Sequence, residues 1–380
     1  MSYMNEILMK NIGIITFHCS YNYGSVLQAY ALQKYLIKQG YNVKIIDYRS
    51  KNYNMYHLLK LWMLKYPVKL LSENRHLNRL IKRKYNFLHF ISEHMRLTEK
   101  KYLYSDDLTE LNDEFNVFIA GSDQIWNPIC TGGIDPNFFL SFVNDKINKK
   151  IAYAPSLAHT SFDDRVLEEM CEYIEKFDGI SVREESGKEI LKNNIDKNIV
   201  VTLDPTMLLE EHDYKEIEVK PVFSKPYIFV YMLEKDDPSL IEYVYKISRE
   251  KNLDIVYIHL NNIFSGKHTH NVYGCKVGEF LWYIRNAHYV VSNSFHATVF
   301  SIIYKKNFCT FKTEKSYSRM VGLLNSLGLE NRIYQEEFLI ENNINYKEVR
   351  DKWNVLKKPS ADFLTKSING DIEKHENRED

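Results

Sequence analysis

Cysteine is scarce in this sequence, and the few thiols are scattered. Five cysteines occur among 380 residues, and no two of them have the CxxC spacing of a metal or redox pair. The pattern therefore excludes a zinc ribbon and gives no basis for a disulfide framework. Because scattered thiols are typical of a reducing compartment, we expect a cytoplasmic protein with no metal site. The five are Cys19, Cys130, Cys171, Cys275 and Cys309.

Long apolar runs and a surplus of charge of one sign are also absent. No uninterrupted apolar run approaches the ~18–20 residues of a membrane span, and residues 1–10 lack the basic and apolar regions of a signal peptide. Lysine plus arginine and aspartate plus glutamate each total 50, so the formal net charge is zero. Since nucleic-acid-binding chains normally carry a basic surplus, we expect no nucleic-acid partner.

Apolar residues are plentiful, and their spacing predicts an α/β protein. The hydrophobic fraction is 44%, which is enough for complete cores, and the length favours two domains. Residues 11–17 are typical of a buried strand, and residues 42–47 of another. Between them, apolar positions three and four apart predict a helix over 24–36 that Gly40 closes. Such a βαβ unit requires parallel pairing with a right-handed crossover.

The alternation of strand and helix continues, and it predicts two facing Rossmann-like doubly wound domains. The first domain is expected over residues 1–208, a charged linker with prolines over 209–226, and the second domain over 227–335. A helical segment over 336–368 is expected to pack back across both domains, and the tail 369–380 to be disordered. Because function is expected at the carboxyl ends of such strands, the site should lie in the cleft between the domains.

Residues 55–96 form a basic, mostly helical insertion in the first domain. Lysine and arginine recur from residue 60 to residue 96, with leucine and tyrosine between them. The simpler interpretation is a solvated helix face. The alternative is a patch for an anionic acceptor or an anionic membrane surface, which would make the protein peripheral to the membrane.

The most informative segment is a short strand, a polar turn and an apolar helix over residues 289–304. Ser292, Asn293 and Ser294 are N-capping residue types, so His296 falls in the first helical turn. There the backbone amides are unpaired and the helix dipole is positive, which favours phosphate or another anion. We therefore predict that His296 contacts an anion or transfers a proton, against the simpler interpretation of a histidine packed in the core.

Arg183 follows the predicted strand over 179–182 and should point into the cleft. Its guanidinium can bind a carboxylate or a phosphate through two hydrogen bonds. The alternative is a local ion pair with Glu184 or Glu185. We predict that Arg183 binds the anionic ligand.

A second polar segment, residues 121–127, follows the predicted strand over 117–120. Gly121 and Ser122 form a turn that lets the backbone approach a ligand. Asp123 can accept a hydroxyl proton, and Trp126 can stack on a sugar face. The alternative for Asp123 is a helix cap.

Two further segments complete the set of candidates. Asn22, Tyr23 and Gly24 follow the first strand, where phosphate loops usually lie, but the segment has neither a dinucleotide fingerprint nor a P-loop. We predict that this loop shapes the site on the acceptor side. After the strand over 307–311, Arg319 is the candidate to neutralise phosphate from the facing side.

Together these segments resemble the polysaccharide pyruvyl transferase family. The matching motifs occur in the family's order and span residues 12 to about 332, most of the chain. Each motif alone is modest, and the ordered set carries the resemblance. The motifs are Thr16-Phe17-His18 with Asn22-Tyr23-Gly24-Ser25, Gly121-Ser122-Asp123-Gln124-Ile125-Trp126-Asn127, Ser181-Val182-Arg183-Glu184-Glu185-Ser186-Gly187, Asp204-Pro205-Thr206, Ser294-Phe295-His296-Ala297 and Ser318-Arg319-Met320.

The resemblance implies a GT-B-like fold and a transferase of surface-polysaccharide synthesis. Such an enzyme moves a pyruvyl group from phosphoenolpyruvate, its co-substrate, to a sugar or lipid-linked glycan and forms a pyruvate ketal, with no other cofactor. The resemblance maps a donor-binding histidine onto His296 and a donor-binding arginine onto Arg183, and we place Ser294 and Arg319 beside them. Many members carry an arginine two residues before the histidine and a glycine after it, where this chain has Ser294 and Ala297.

Two other functions stay open from the residues alone. A GT-B glycosyltransferase would use a nucleotide sugar on the same fold, and it would need an acidic residue for the ribose, for which Glu314 is the candidate. A non-catalytic glycan-binding protein would not need the cleft residues to converge. Fold-level analogy cannot separate the first alternative from pyruvyl transfer.

Overall fold

Two parallel β-sheets form the framework of the computed structural model. The structure describes residues 10–51, 75–158, 161–233, 237–259, 263–312, 317–336, 338–341 and 343–370. Within these residues, a seven-stranded sheet precedes a five-stranded sheet along the chain, and neighbouring strands pair in parallel. Helices connect the strands, so the predicted α/β class is confirmed.

The first sheet has the strand order β3-β2-β1-β4-β5-β6-β7. The order reverses between β1 and β4, which makes their carboxyl ends a topological switch point where ligands usually bind. The edge strand β3 is missing from the predicted elements because its central residues 99–101 are charged and exposed. The strands are β1 (Asn11–Ile15), β2 (Asn42–Arg49), β3 (Leu97–Leu103), β4 (Val117–Asp123), β5 (Lys149–Pro155), β6 (Gly179–Val182) and β7 (Ile199–Val201).

The second sheet has the order β10-β9-β8-β11-β12 and reverses between β8 and β11. It repeats the doubly wound arrangement of the first sheet on a smaller scale. Its edge strand β10 is half-buried along its whole length, and its polar sequence gives no strand signal. The strands are β8 (Tyr227–Tyr231), β9 (Asp254–Ile258), β10 (Thr269–Val272), β11 (Tyr289–Ser292) and β12 (Asn307–Thr310).

The helices that the structure describes agree closely with the sequence pattern. Asn22 caps the first of them by accepting hydrogen bonds from the amides of Gly24 and Ser25, and Gly40 follows its end with a φ of +91°. They are α1 (Tyr23–Lys38), α2 (Arg75–His94), α3 (Pro128–Thr131), α4 (Asp164–Ile174), α5 (Glu185–Lys192), α6 (Glu211–Lys215), α7 (Pro238–Lys251), α8 (Val277–Asn286), α9 (Phe295–Ile303), α10 (Tyr317–Leu327) and α11 (Tyr346–Asn369). None of them is long and apolar enough to cross a bilayer.

Ring stacking and hydrogen bonds join the two sheets and their helices. The Tyr23 ring, at the start of α1, stacks on Phe280 of α8 at a centroid distance of 4.4 Å, and its hydroxyl donates to the Cys275 carbonyl at 2.9 Å. From the end of the chain, Trp353 of α11 donates through Nε1 to the Met207 carbonyl at 2.9 Å. α1 therefore packs against elements of both sheets.

The predicted domain limits stay predictions. The two sheets lie within the predicted domains, and α11 occupies most of the segment expected to pack back, where Lys149 Nζ donates to the Ser367 carbonyl at 3.1 Å. Part of the basic insertion, 55–74, lies outside the described residues, as does 371–380 of the predicted tail.

Candidate active site

Polar side chains from both sheets meet where their strands end. Asp123 is the last residue of β4, and Arg183 follows β6. Asp204 lies shortly after β7 and begins a short 3₁₀ turn. From the second sheet, His296 lies in the first turn of α9, directly after β11. The four side chains form one buried cluster that spans the junction of the two sheets.

Asp204 is the centre of this cluster and is fully buried. Its Oδ2 accepts a hydrogen bond from Arg183 Nη1 at 2.8 Å and lies 3.5 Å from His296 Nε2. Its Oδ1 accepts from the amide of Thr206 at 3.0 Å. Burial alone would raise the pKa of Asp204, but the close approach of His296 and the charge of Arg183 outweigh burial and hold this pKa well below its ordinary range. Asp204 is therefore an ionised anchor between Arg183 and His296.

Arg183 is buried but keeps hydrogen-bonding capacity. Nη1 is used by Asp204, and Nη2 lies 3.8 Å from Asp123 Oδ1. The guanidinium lies over the Phe295 ring at 4.8 Å, a cation–π contact. Within the part of the chain that the structure describes, Nε and Nη2 find no hydrogen-bond partner. A buried guanidinium with two such donors is suited to an anionic ligand.

The predicted alternative for Arg183, an ion pair with a neighbouring glutamate, is wrong. Glu184 Oε1 instead accepts from the Ser156 hydroxyl and the Leu157 amide, both at 2.9 Å. Glu185 pairs with Lys188, one turn along α5, at 3.0 Å.

His296 is held between the two sheets by close packing. Only 8% of the residue is exposed. Its ring lies against Gly24 of α1 so closely that a Cβ on Gly24 would be 2.0 Å from His296 Nδ1. Ser294 caps α9 by accepting from the Ala297 amide at 3.5 Å. Nε2 faces Asp204 and has no hydrogen-bond partner among the described residues.

Asp123 joins the cluster from β4 in a constrained conformation. Its φ is 63°, in the left-handed region, which is uncommon for a residue with a side chain. The Ser25 hydroxyl, in the first turn of α1, donates to Asp123 Oδ2. The predicted alternative of a helix cap is wrong, because Asn127 caps the following helix α3 by accepting from the Ile129 amide at 3.0 Å. Backbone strain of this kind is typical of functional sites.

Arg319, from α10, brings a second guanidinium to the cluster. Burial, together with the like charge of Arg183, lowers the pKa of Arg319 to about 10. With its amide oriented so that the side-chain oxygen faces Arg319, Gln124 accepts hydrogen bonds from Arg319 Nη2 at 3.1 Å and Arg319 Nη1 at 3.3 Å. The structure thus places the predicted donor-site residues His296, Arg183, Ser294 and Arg319 in one region.

Two aromatic candidates lie elsewhere. Trp126 is 1% exposed, stacks on Phe139 at 5.4 Å and donates through Nε1 to the Phe138 carbonyl. Its predicted stacking on a sugar is therefore wrong: the residue belongs to the core of the first sheet. Tyr23 is also buried, and it joins the two sheets at the edge of the site.

The remaining candidates of the first domain have structural partners. Asn22 caps α1 through its side chain, and Gly24 makes room for His296. Ser122 is buried and donates to the Ala154 carbonyl at 2.9 Å, with its hydroxyl 3.3 Å from Asp204 Oδ2. These residues therefore help to hold the cluster residues in position. Glu314, the ribose candidate of the alternative function, lies outside the described residues.

Asp204, Ser25 and Gln124 lie in the family motifs, but the sequence reasoning gives none of them a role in the site. Asp204 had a usable signal, because it follows a predicted strand just as Arg183 does. Ser25 and Gln124 stand beside predicted residues, but only packing shows which neighbour of a loop residue faces the cluster.

Comparisons with known proteins identify one family that matches most of the chain. A model of the family described as Polysaccharide pyruvyl transferase matches residues 22–314. None of the curated proteins matches the chain in sequence.

Solved structures share the overall architecture. UDP-GlcNAc 2-epimerase from Neisseria meningitidis, bound to UDP-GlcNAc, is 10% identical with a TM-score of 0.51, over 95% of this chain and 99% of that one. The UDP-GlcNAc 2-epimerase from Methanocaldococcus jannaschii is 11% identical with a TM-score of 0.50, over 91% of this chain and 92% of that one. At these identities the likeness shows the fold alone, and it confirms the predicted pair of GT-B-like domains.

Proposed function

Because this chain belongs to the polysaccharide pyruvyl transferase family, we propose that it moves the pyruvyl group of phosphoenolpyruvate to a sugar of a surface polysaccharide or its precursor. The product is a pyruvate ketal across two sugar hydroxyls. The observation that carries the proposal is a pair of buried donors, Arg183 Nε and Nη2, which have no hydrogen-bond partner among the described residues and lie in one cluster with His296 Nε2. Such donors are rare in a folded protein unless a ligand completes them.

Phosphoenolpyruvate matches these donors in charge and shape. It carries a carboxylate and a phosphate on the same carbon skeleton, a short distance apart. The planar fork of Arg183 suits the carboxylate, and the amino end of α9 with His296 suits the phosphate. Arg319 adds a cation on the side of Gln124. The ligand would thus be held by both sheets.

The reaction needs two hydroxyl groups and releases inorganic phosphate. Protonation of the methylene carbon leaves a cationic centre at the adjacent carbon, and a sugar hydroxyl adds there. A second hydroxyl then displaces phosphate, so that two C–O bonds to the sugar form while one C–O bond to phosphate breaks. The proton that the first hydroxyl loses compensates for the proton added to the methylene carbon. The proton of the second hydroxyl leaves with the phosphate.

Asp123 and His296 are the residues proposed to act on these protons. Asp123, fixed by the Ser25 hydroxyl, accepts the proton of the attacking hydroxyl. His296 contacts the phosphate and assists its departure. Arg183 holds the carboxylate in place, so that most of the acceleration comes from positioning and electrostatic stabilisation.

A donor-binding screen tests the proposal directly. Thermal unfolding is measured with phosphoenolpyruvate, UDP-sugars and GDP-sugars, and we expect stabilisation by phosphoenolpyruvate alone. Arg183→Lys keeps the charge beside Asp204 but removes the fork, so it should weaken phosphoenolpyruvate binding by about 10-fold or more. Stabilisation by a nucleotide sugar and not by phosphoenolpyruvate would overturn the proposal in favour of glycosyl transfer.

Helix α2 supports a second proposal, that the enzyme works in the cytoplasm at a membrane surface carrying a lipid-linked acceptor. Ile81, Tyr85 and Leu88 recur on one face of α2 and are 52%, 65% and 37% exposed. Lys82 and Lys84 flank them. Apolar residues next to lysines on an exposed helix face fit an anionic lipid surface.

A further inference from the structure

A small pocket lies at the carboxyl ends of β8, β9 and β10, beside the candidate active site. Its volume is about 180 Å³. Tyr231 and His259 line it from the strand ends, Tyr23 from α1, and Arg83 from α2. The volume is below the ~300–1,000 Å³ of pockets for whole drug-sized molecules, so the pocket fits one part of a larger ligand.

Helix α2 reaches across from the first domain and closes this pocket. Asn86 Nδ2 donates to the Gly274 carbonyl at 2.5 Å, and the Arg79 guanidinium lies 3.4 Å from the centre of the Tyr273 ring. Both contacts fix α2 on the loop that follows β10. The position of Arg83 at the pocket is therefore determined by docking of the helix and not by its own side chain alone.

Arg83 gives the pocket a positive charge. Its Nη2 donates to the Tyr21 carbonyl, and its guanidinium lies 5.8 Å from the centre of the Phe87 ring. Among the residues that the structure describes, no carboxylate forms an ion pair with Arg83. Burial raises the pKa of Tyr231 to about 12, against the opposing charge of the nearby Arg83. A cation without a counter-ion in an aromatic pocket points to an anionic ligand.

The pocket is a direct neighbour of the candidate active site. Tyr231 pairs in register with Ser292, whose hydroxyl donates to the Tyr231 carbonyl, and His296 lies in the first helical turn just beyond Ser292. Tyr23 is adjacent to Gly24, on which the His296 ring packs. Since neighbouring strands are ~4.8 Å apart, the ends of β8 and β9 lie roughly 5 and 10 Å across the sheet from β11.

A buried amide lies between the two sites. Asn293 is 1% exposed, and its Oδ1 accepts from the amide of Leu233, which also lines the pocket. Its Nδ2 has no hydrogen-bond partner among the described residues. An unused donor at this point suits a polar ligand that passes from the pocket toward His296.

We infer that this pocket binds a phosphate group attached to the acceptor sugar, a glycosyl phosphate or diphosphate, with Arg83 on the phosphate. The inference rests on the proposed pyruvyl transfer, because the sugar that extends from the pocket would present its hydroxyls at His296. The charge of Arg83 would therefore select acceptors that carry phosphate over neutral glycans.

Binding of inorganic pyrophosphate, the shared part of glycosyl diphosphates, tests the pocket by calorimetry. Arg83→Gln keeps a donor for the Tyr21 carbonyl but loses the charge, and it should raise the pyrophosphate Kd by about 10-fold or more. Arg183→Lys should instead weaken phosphoenolpyruvate and leave pyrophosphate bound. Lys192→Gln removes the same charge from the exposed last turn of α5, outside the pocket, and should change neither ligand.

The crossed design separates the two sites. The inference is overturned if pyrophosphate does not bind the wild-type protein. It is also overturned if Arg183→Lys abolishes pyrophosphate binding while Arg83→Gln retains it. Arg83→Lys, which keeps the charge, should bind pyrophosphate more tightly than Arg83→Gln; equal weakness of the two variants also overturns it. If phosphoenolpyruvate fails to bind while pyrophosphate behaves as expected, the proposed donor is wrong and the pocket stands.

Discussion

Replacing Gly24 by alanine tests whether His296 contacts the donor. Gly24 lies in the first turn of α1, where a helical alanine fits the backbone. Its new Cβ would be 2.0 Å from His296 Nδ1, whereas ordinary contact begins at 3.4 Å, so the ring must withdraw by about 1.4 Å. The change therefore moves one catalytic candidate without altering its chemistry.

The expected effect can be worked out from the contact that is lost. A hydrogen bond to a charged group contributes ~1.5–3 kcal/mol, so displacement of His296 from phosphate should raise the phosphoenolpyruvate Kd roughly 10- to 150-fold. Overpacking should also lower the free energy of unfolding by ~1–3 kcal/mol. Both quantities are measured on one preparation, by calorimetry and by urea unfolding.

Gly322→Ala is the matched control. Gly322 lies in α10, where no atom of the described residues comes within 4 Å of the added Cβ, so this variant should gain ~0.5–1 kcal/mol of helix stability and bind phosphoenolpyruvate normally. If Gly24→Ala loses stability but keeps the wild-type Kd, His296 does not contact the donor. If neither quantity changes, the packing of His296 on Gly24 is itself wrong.

Three further variants test separate features. Because the pKa of Asp204 is depressed in the folded protein, its ionised form contributes stability that is complete above its unfolded pKa of ~3.9 and is lost as the pH falls toward its folded pKa. Asp204→Asn should therefore reduce the dependence of the free energy of unfolding on pH below about pH 4, measured by urea unfolding across pH. An unchanged pH dependence would contradict this. Trp126→Ala should lower the free energy of unfolding by ~3–5 kcal/mol while the folded protein keeps its phosphoenolpyruvate Kd, whereas a small cost would contradict its place in the core. The double change of Ile81 and Tyr85 to serine should reduce sedimentation with anionic vesicles, and equal sedimentation would remove α2 as the membrane contact.

One rule predicts both the alternating strands and helices and about half of the site residues from the sequence. Buried strands alternate with helices, and residues after a parallel strand lie at the carboxyl edge of the sheet. This rule locates Arg183, Asp123 and His296, and it applies equally to Asp204. Asp204 receives no role from the sequence, although Asp204-Pro205-Thr206 is one of the family motifs.

Trp126 and Arg83 show where the rule stops. Trp126 lies three residues after Asp123, the last residue of β4, but the chain turns after Asp123 and places the indole in the core beside Phe139. Turn geometry of that kind depends on a φ of 63° at a non-glycine residue, for which the sequence gives no signal. Arg83 lies on a helix whose docking on Gly274 joins positions almost 190 residues apart.

A buried carboxylate at the centre of an anion site needs a physical reason, and the geometry supplies one. Without Asp204, Arg183 from one sheet and His296 from the other would be two buried groups with no anion between them, and such a charge is costly to bury. Asp204 accepts from Nη1 of Arg183 and faces Nε2 of His296, but Nε and Nη2 of the guanidinium have no hydrogen-bond partner in the described part of the chain. The same residue therefore fixes donors from two domains relative to each other before any ligand arrives. That preorganisation is what an electrostatic mechanism requires, because donors already in place need not reorganise as charge develops in the transition state.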